Sequence, residues 1–293
     1  MSLDSRWWAR LAPLALRARA RVDGAFAGRH RGRSSGVSGD FVGHRAYTPS
    51  DDWRHVDWTV YARTDRWTVR ETQADAPLRA TLLLDASGSM AFAAEGRRPK
   101  IDHAAELLSA IAHVVLRQGD ACALGLLGEG LRFFLPPRSG PAARPRLLSQ
   151  LESPTAAGPA DLGRALREAA PRLPRRGLVV LVSDFFPPLE GWMPVLREWT
   201  ARGREIIAFQ TLDPAELALT GRGVLEFKDL ETDLRLAVDV DGVARRYARL
   251  AEDRQRRLAA AFAALGADFQ TFLTDRPLDA ALAHYLRQRD ARA

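Results

Sequence analysis

The chain has 293 residues, of which 46% are hydrophobic and 27% are charged, an ordinary composition for a globular protein with a substantial core. No run approaches the ~20 apolar residues of a membrane span, so we expect a cytoplasmic protein. A single cysteine, Cys122, excludes an internal disulfide, and its position in the apolar run ACALGLL predicts a buried core thiol.

The formal net charge is +7, and the positive charge is densest in the arginine-rich residues 17–33 and 254–257. A basic surface attracts phosphates or anionic lipid by charge alone. Aromatic residues do not interleave with these arginines as they do in proteins that bind single-stranded nucleic acid. We therefore expect no specific nucleic-acid partner, and a basic protein that binds nucleic acid or a membrane surface is an alternative interpretation.

Residues 1–35 combine a basic helical pattern with a connector rich in glycine, arginine and serine. Trp7 and Trp8 on such a helix would permit at most a peripheral membrane contact. The simpler interpretation is a helix that docks on its own domain.

Residues 36–78 are dense in aromatic and charged residues, and short alternating stretches such as WTVRETQ predict a small β-rich subdomain. Buried charges need partners, so the charged residues here predict an ion-paired layer that fastens this subdomain to the next domain. A direct binding surface is the alternative. The candidates for these interdomain or interaction contacts are Asp52, Arg54, Asp57, Arg63 and Arg70. His55 lies near Asp57, but no nucleophile follows at a recognisable spacing, so we assign it no catalytic role.

Residues 79–293 alternate between apolar runs and segments of helical periodicity. The runs ATLLLD and GLVVLVSD are typical of strands buried on both faces, and KIDHAAELLSAIAHVVLRQG between them is typical of a helix. The stretch GVLEFKDLETDLRLAVDV predicts a hairpin, and a long arginine- and alanine-rich helix follows it. We therefore predict an α/β domain with a doubly wound, mainly parallel sheet covered by helices on both faces.

Two of the buried strands end in an acid, at Asp85 and at Asp184. Ligands of doubly wound sheets bind outside the carboxyl ends of the strands, so these carboxylates should meet at one crevice if the strands are neighbours. Ser87 and Ser89 follow the first strand and place two hydroxyls nearby. An all-oxygen set of this kind suits Mg²⁺ or Mn²⁺. The alternative is that both aspartates only cap the helices that follow them.

The motif DASGSM resembles the Asp-x-Ser-x-Ser signature of the von Willebrand factor A fold, which carries a metal-ion-dependent adhesion site. The upstream segment YTPSDDWRHVDWTVYARTDRWTVRET is similar to the hallmark of the bacterial domain-of-unknown-function family fifty-eight, in which such a segment precedes an A-like domain. The stretches LDPAE, FKDLET and TDRPLDAALAHYLRQR also fit that family. The resemblance covers roughly residues 36–290 and implies an A-like, Rossmann-type fold for the larger domain.

The resemblance assigns Asp85, Ser87 and Ser89 to a first metal loop and Asp184 to a third. The family's second loop supplies a threonine, and Ala160 holds that position in the stretch GPADLGRAL. Alanine offers no side-chain oxygen, so we expect a degenerate site that binds Mg²⁺ or Mn²⁺ weakly or not at all. Two further residues in this region are possible additional ligands: Asp161, which more plausibly caps its helix, and Thr155.

The sequence contains no phosphate-binding loop, no nucleophile elbow and no zinc-ligand spacing. We therefore expect a non-enzymatic interaction module, with a metal-dependent hydrolase that uses Asp85 and Asp184 as the alternative. The resemblance implies a partner class, because members of the family are linked with MoxR-type AAA+ ATPases and with other A-domain proteins. It predicts an adaptor or co-chaperone role in protein maturation.

Overall fold

The computed structural model describes residues 16, 40–49, 51, 53–73, 78–232 and 234–291. The chain divides into two compact units, a smaller one of residues 21–77 and a larger one of residues 1–20 and 78–293. The predicted N-terminal helix and connector lie outside the described residues except for Leu16. The Leu16 side chain is buried in the core of the larger unit, and its N–H donates a 2.9 Å hydrogen bond to Oε1 of Gln118.

The smaller unit is built on two antiparallel strands, β1 (Asp40–Ala46) and β2 (Thr68–Gln73), with a short helix α1 (Trp58–Thr64) between them. The strands agree with the β-rich prediction, but the helix was not predicted. Its start is fixed by Asp57, whose side chain accepts hydrogen bonds from the N–H groups of Thr59 and Val60 and so caps the first turn. The local cap decides the conformation of a segment whose composition also suits a strand.

The larger unit contains a six-stranded sheet in the order β10-β7-β6-β3-β4-β5. Neighbouring strands are parallel except for the edge pair of β4 and β5. The strands are β3 (Arg79–Asp85), β4 (Ala121–Leu127), β5 (Leu131–Arg138), β6 (Gly177–Ser183), β7 (Arg204–Leu212) and β10 (Asp268–Leu273). The predicted α/β fold with a mainly parallel sheet is confirmed.

The predicted hairpin is present as β8 (Val224–Lys228) and β9 (Arg235–Asp239), which form a two-stranded antiparallel sheet of their own. The helices of the larger unit are α2 (Lys100–Arg117), α3 (Ala143–Leu151), α4 (Leu162–Ala169), α5 (Leu189–Ala201), α6 (Val240–Leu265) and α7 (Leu278–Asp290). Among the described residues, no helix is long and apolar enough to cross a membrane.

Helices cover both faces of the six-stranded sheet, and each face has its own hydrophobic core. Strand β3 shows the division, because Leu82 and Leu84 belong to the core under α2, α3 and α7, whereas Leu83 belongs to the core under α4, α5 and α6. This alternation follows from the two-residue period of a strand. Cys122 on β4 is buried as predicted, and its burial raises the pKa of the thiol.

Strands β3 and β6 lie side by side at the centre of the sheet and run parallel, with Leu84 opposite Val182. The last residues of the two strands, Asp85 on β3 and Ser183 on β6, therefore lie together at the C-terminal ends of the parallel strands. Asp184 follows directly. The fold thus brings together two strand ends that are far apart in the chain, since Asp85 and Ser183 are separated by 98 residues.

Candidate functional site at the strand ends

Asp85 is buried at the end of β3, with an exposed fraction of 2%. Its Oδ2 accepts a 2.6 Å hydrogen bond from the Ser183 hydroxyl, and its Oδ1 accepts one of 3.0 Å from the Ser87 N–H. Burial, together with the negative charge of Asp184, raises the pKa of Asp85 to about 6, against the opposing effect of these hydrogen bonds. Asp85 therefore takes up a proton far more readily than an exposed aspartate does.

Asp184 is held by a lysine that the sequence analysis did not single out. The ammonium of Lys100, the first residue of α2, donates hydrogen bonds to Asp184 at 2.7 Å and to Glu216 at 2.6 Å. The second carboxylate oxygen of Asp184 accepts the Phe186 N–H at 3.0 Å. The Phe186 ring also lies 4.9 Å from the ammonium, within the range of a cation–π contact.

The side chains of Lys100 and Asp184 have no exposed surface, and Glu216 is nearly as buried. We call Asp85, Lys100, Asp184 and Glu216 the strand-end network. Its one ammonium lies between two carboxylates, and burial raises the pKa of Glu216 against the opposing charge of Lys100. A sequence signal for Lys100 existed, because it is one of only two lysines in an arginine-rich chain and begins an apolar helix.

The serines of the Asp-x-Ser-x-Ser motif lie in a short 3-10 turn, Gly88–Ala91, and in the residue before it. The hydroxyls of Ser87 and Ser89 are 3.2 Å apart and hydrogen-bonded to each other. Gly88 lies between them under the carbonyl oxygen of Leu230, which would be only 2.4 Å from a Cβ at this position. The close approach of these two backbones requires a residue without a side chain.

The loop before α4 completes the surroundings of the motif. Asp161 caps α4, because its side chain accepts a 2.8 Å hydrogen bond from the Arg164 N–H. Ala160 contributes only its backbone, and its N–H donates a 2.9 Å hydrogen bond to Oε2 of Glu231 in the β8–β9 loop. Thr155 lies in the same loop as Ala160, and its side chain is exposed.

The structure therefore brings Asp85, Ser87, Ser89 and Asp184 to one edge of the sheet, where each of their side-chain oxygens already has a hydrogen bond within the chain. Mg²⁺ requires six oxygen donors in near-octahedral geometry. Asp184 is bonded through both oxygens, and Ala160 adds no side-chain donor. Over the described part of the chain, no group of three or more His, Cys, Asp or Glu side chains is suited to hold a metal ion. This arrangement does not fit a tightly held divalent cation, and weak metal binding stays a prediction.

A cleft of about 490 Å³ opens above the strand-end network. It lies between the Ser89 turn, the loop that carries Phe186 after β6, and the β8–β9 loop. The residues that line it include Ser89, Ala160, Phe186, Glu216, Leu230 and Glu231. Phe186 is 41% exposed, so the cleft offers an aromatic surface next to polar backbone groups.

In the smaller unit, the structure defines local partners or positions for three of the predicted interdomain residues. Asp57 caps α1 and accepts a 2.9 Å contact from Nε2 of His44. Arg54 lies with its guanidinium 6.0 Å from the Trp53 ring, and Arg63 is exposed. Asp52 and the side chains of Arg70 and His55 lie outside the described residues. The role of these residues in fastening the two units together stays a prediction.

The same unit contains an ion pair that the sequence analysis missed. Arg45 donates hydrogen bonds to both carboxylate oxygens of Asp51, one of them at 2.6 Å. This bidentate pair, with further hydrogen bonds from Thr48, holds the pKa of Asp51 well below its usual range. The pair ties the end of β1 to the turn that follows it.

The mainly parallel sheet covered on both faces, with an acid at the ends of two adjacent central strands, defines the larger unit as a doubly wound α/β domain. The chain belongs to the family described as Protein of unknown function DUF58, whose model matches residues 43–257. It is 30% identical over 292 residues to the uncharacterized protein Rv1480 of Mycobacterium tuberculosis, covering 98% of this chain and 90% of that relative. The uncharacterized protein MAV169 of Mycobacterium avium is 30% identical over 116 residues, which cover 39% of this chain and 68% of that protein.

Among solved structures, the chain is similar to the conserved hypothetical protein BatB from Bacteroides thetaiotaomicron, with a TM-score of 0.46 and 12% identity over 74% of this chain and all of that one. It is also similar to the VWA domain of SpRpn10, with a TM-score of 0.42 and 11% identity over 72% of this chain and 95% of that one.

Proposed function

We propose that this protein is a non-enzymatic protein-interaction module whose binding site is the cleft above the strand-end network. The observation that carries the proposal is the complete burial of the Lys100 and Asp184 side chains, neither of which lines the cleft. A general acid, base or nucleophile must reach a reacting atom within hydrogen-bonding distance. These two side chains instead bond to each other, which suits a structural support beneath a binding surface.

The partner we propose is a MoxR-type AAA+ ATPase, with other A-domain proteins as further members of the assembly. The support for this partner is membership of the DUF58 family and the linkage of that family with such ATPases. In this proposal the chain acts as an adaptor or co-chaperone in protein maturation. The cleft has the features of a recognition site, because an exposed aromatic residue such as Phe186 commonly anchors a protein interface.

Binding of the partner is proposed not to depend on a tightly held metal ion. Lys100 already supplies a positive charge between Asp184 and Glu216. Any Mg²⁺ or Mn²⁺ that binds would be held by Asp85, Ser87 and Ser89 together with water. We therefore expect the interaction to persist after treatment with a chelator.

The proposal is tested by biolayer interferometry, which measures the affinity of the purified chain for a purified MoxR-type AAA+ ATPase. We expect Phe186→Ala to weaken binding by about tenfold or more, as the loss of an interface anchor does. The matched control is Leu250→Ala, because Leu250 is also a large exposed apolar residue, at 55%, but is not among the residues that line the cleft. Equal affinities of the two variants, or no binding by the wild type, would contradict the proposal, provided urea denaturation shows both variants folded.

A further inference from the structure

The cleft already contains a carboxylate that belongs to the chain itself. Glu231 reaches from the β8–β9 loop to the Ser89 turn and to the loop before α4. Its Oε2 accepts the Ala160 N–H at 2.9 Å, and its Oε1 accepts the Ser89 N–H at 3.3 Å. This one side chain thus connects its own loop to residues that lie 71 and 142 positions earlier in the chain.

Hydrogen bonds within the loop fix the position of Glu231. Asp229 accepts the Glu231 N–H at 2.9 Å through one oxygen and the Thr232 hydroxyl at 2.6 Å through the other. The carbonyl of Leu230 lies directly over Gly88. The tip of the hairpin is therefore shaped as a turn that fits against the Ser89 turn.

The two strands of the hairpin that carries this loop have fewer stabilising contacts than the loop itself. Strands β8 and β9 form a two-stranded sheet of their own, and such a hairpin is at best marginally stable without packing. The apolar face of the hairpin is incompletely covered, with Phe227 exposed by 38% and Leu236 by 60%. Elements with so little buried apolar surface open at a lower free energy than core strands do.

We propose that the β8–β9 loop is an autoinhibitory strap, with Glu231 as the internal ligand that a carboxylate of the partner displaces. This inference rests on the proposed function, since it describes how access to the same cleft is regulated. An internal ligand acts at an effective concentration of roughly millimolar or above. The apparent affinity for an acidic partner segment is then lower than the intrinsic affinity, by a factor equal to the fraction of molecules in which the strap is open.

The first test needs no partner and follows the amide resonances of Ser89 and Ala160 by NMR in the full chain. In Glu231→Gln and Glu231→Ala, both amide protons should move upfield and exchange faster with solvent, because a charged acceptor strengthens a hydrogen bond. The matched control is Glu226→Gln on β8, whose carboxylate pairs with Arg235 on the exposed hairpin face and should leave both amides unchanged. Unchanged Ser89 and Ala160 amides in both Glu231 variants would overturn the inference.

The second test adds a capped synthetic peptide, Asp-Leu-Glu-Thr, which copies the tip of the loop. At millimolar concentration the peptide should restore the wild-type amide positions of Ser89 and Ala160 in Glu231→Ala and should leave the wild type unchanged. A peptide with glutamine in place of glutamate should have no effect. Equal effects of the two peptides, or equal responses of wild type and variant, would overturn the proposed competition.

The strap and the proposed function fail in different ways. If the ATPase binds the wild type, the strap predicts that Glu231→Ala binds it several-fold more tightly, while Glu226→Gln binds as the wild type does. If the amide experiments succeed and the ATPase does not bind any variant, the proposed partner is wrong and the internal ligand stands. If the ATPase binds and the amides do not respond, the partner stands and the strap is wrong.

Discussion

The ammonium of Lys100 lies 2.7 Å from the carboxylate of Asp184, and neither side chain is exposed to solvent. The two residues are 84 positions apart and belong to different elements, the start of α2 and the loop after β6. An ionised group is rarely this buried without a partner, because desolvation disfavours the charged form. The two side chains therefore form a buried ion pair, with Glu216 as the second acceptor of the same ammonium.

Replacement of Lys100 by methionine should destabilise the larger unit strongly. The variant keeps the apolar length of the side chain but removes the ammonium that donates hydrogen bonds to both Asp184 and Glu216. Breaking a buried pair by removing one partner typically costs about 3–5 kcal/mol. The free energy of unfolding from urea denaturation at pH 7 measures this change.

The chain supplies a matched control for that variant. Lys228→Met makes the same substitution at the other lysine, which is exposed on β8, and should change the free energy of unfolding by no more than about 0.5 kcal/mol. A Lys100→Met variant that loses no more stability than Lys228→Met would show that the ammonium is not the counter-charge of the network.

The stability of the protein should depend on the protonation of Asp85. The pKa of Asp85 in the folded protein is raised from 3.8 to about 6, so between these values the folded state holds a proton that the unfolded state has released. The contribution of Asp85 to stability therefore increases as the pH falls from 7 through 6 towards 4. Each pKa unit corresponds to about 1.4 kcal/mol, so the effect is at most about 3 kcal/mol.

Urea denaturation of the wild type and of Asp85→Asn at pH 7, 6, 5 and 4 isolates this contribution. Asparagine keeps a carbonyl oxygen for the Ser183 hydroxyl and does not titrate. The wild type should gain stability relative to Asp85→Asn as the pH is lowered. A difference between the two proteins that stays constant with pH, or that changes in the opposite direction, would rule out a raised pKa at Asp85.

The contact between Gly88 and the β8–β9 loop should be intolerant of a single methyl group. In Gly88→Ala the new Cβ would lie 2.4 Å from the Leu230 carbonyl oxygen, so one of the two backbones must move. Overpacking of this kind costs about 1–3 kcal/mol. We expect the hairpin tip to yield first, which would make residues 229–232 more susceptible to limited proteolysis.

Gly191→Ala provides the comparison for this variant. Gly191 lies in helix α5, and a Cβ there would meet no atom within 4 Å. Alanine in a helix should stabilise the protein by up to about 1 kcal/mol relative to glycine. Equal proteolysis of the hairpin tip in Gly88→Ala and Gly191→Ala would show that the loop is not packed against Gly88.

The sequence was sufficient to predict the α/β fold and the location of the candidate site. Strands β3 and β6 are apolar on both faces, and each is followed by an acid, so the sheet edge at Asp85 and Asp184 could be inferred without coordinates. The hairpin and the helix α6 were also predicted, because their patterns are local. Helix α1 was missed because its start depends on the Asp57 cap and its composition favours a strand as much as a helix.

The partners of the site residues could not be predicted, because they depend on the register of elements far apart in the chain. Nothing local links Lys100 to Asp184 or Glu231 to Ser89. The resemblance to the A-like fold indicated which loops would meet, but not that an ammonium would bind Asp184 or that a carboxylate of the chain would lie against Ala160. These contacts add a buried ionic network to the degenerate metal site that the sequence predicts.

The central claim is that the strand ends form a buried ionic network centred on Lys100 and not a working metal centre, and calorimetric titration with Mg²⁺ tests it most directly. We expect the wild type to bind Mg²⁺ no more tightly than in the millimolar range, because Lys100 occupies Asp184 and Ala160 offers no side-chain oxygen. Ala160→Thr, which adds a hydroxyl in the loop before α4, should bind Mg²⁺ or Mn²⁺ more tightly than the wild type, and Asp85→Ala should not bind either ion. Sub-micromolar binding of Mg²⁺ by the wild type would contradict the account.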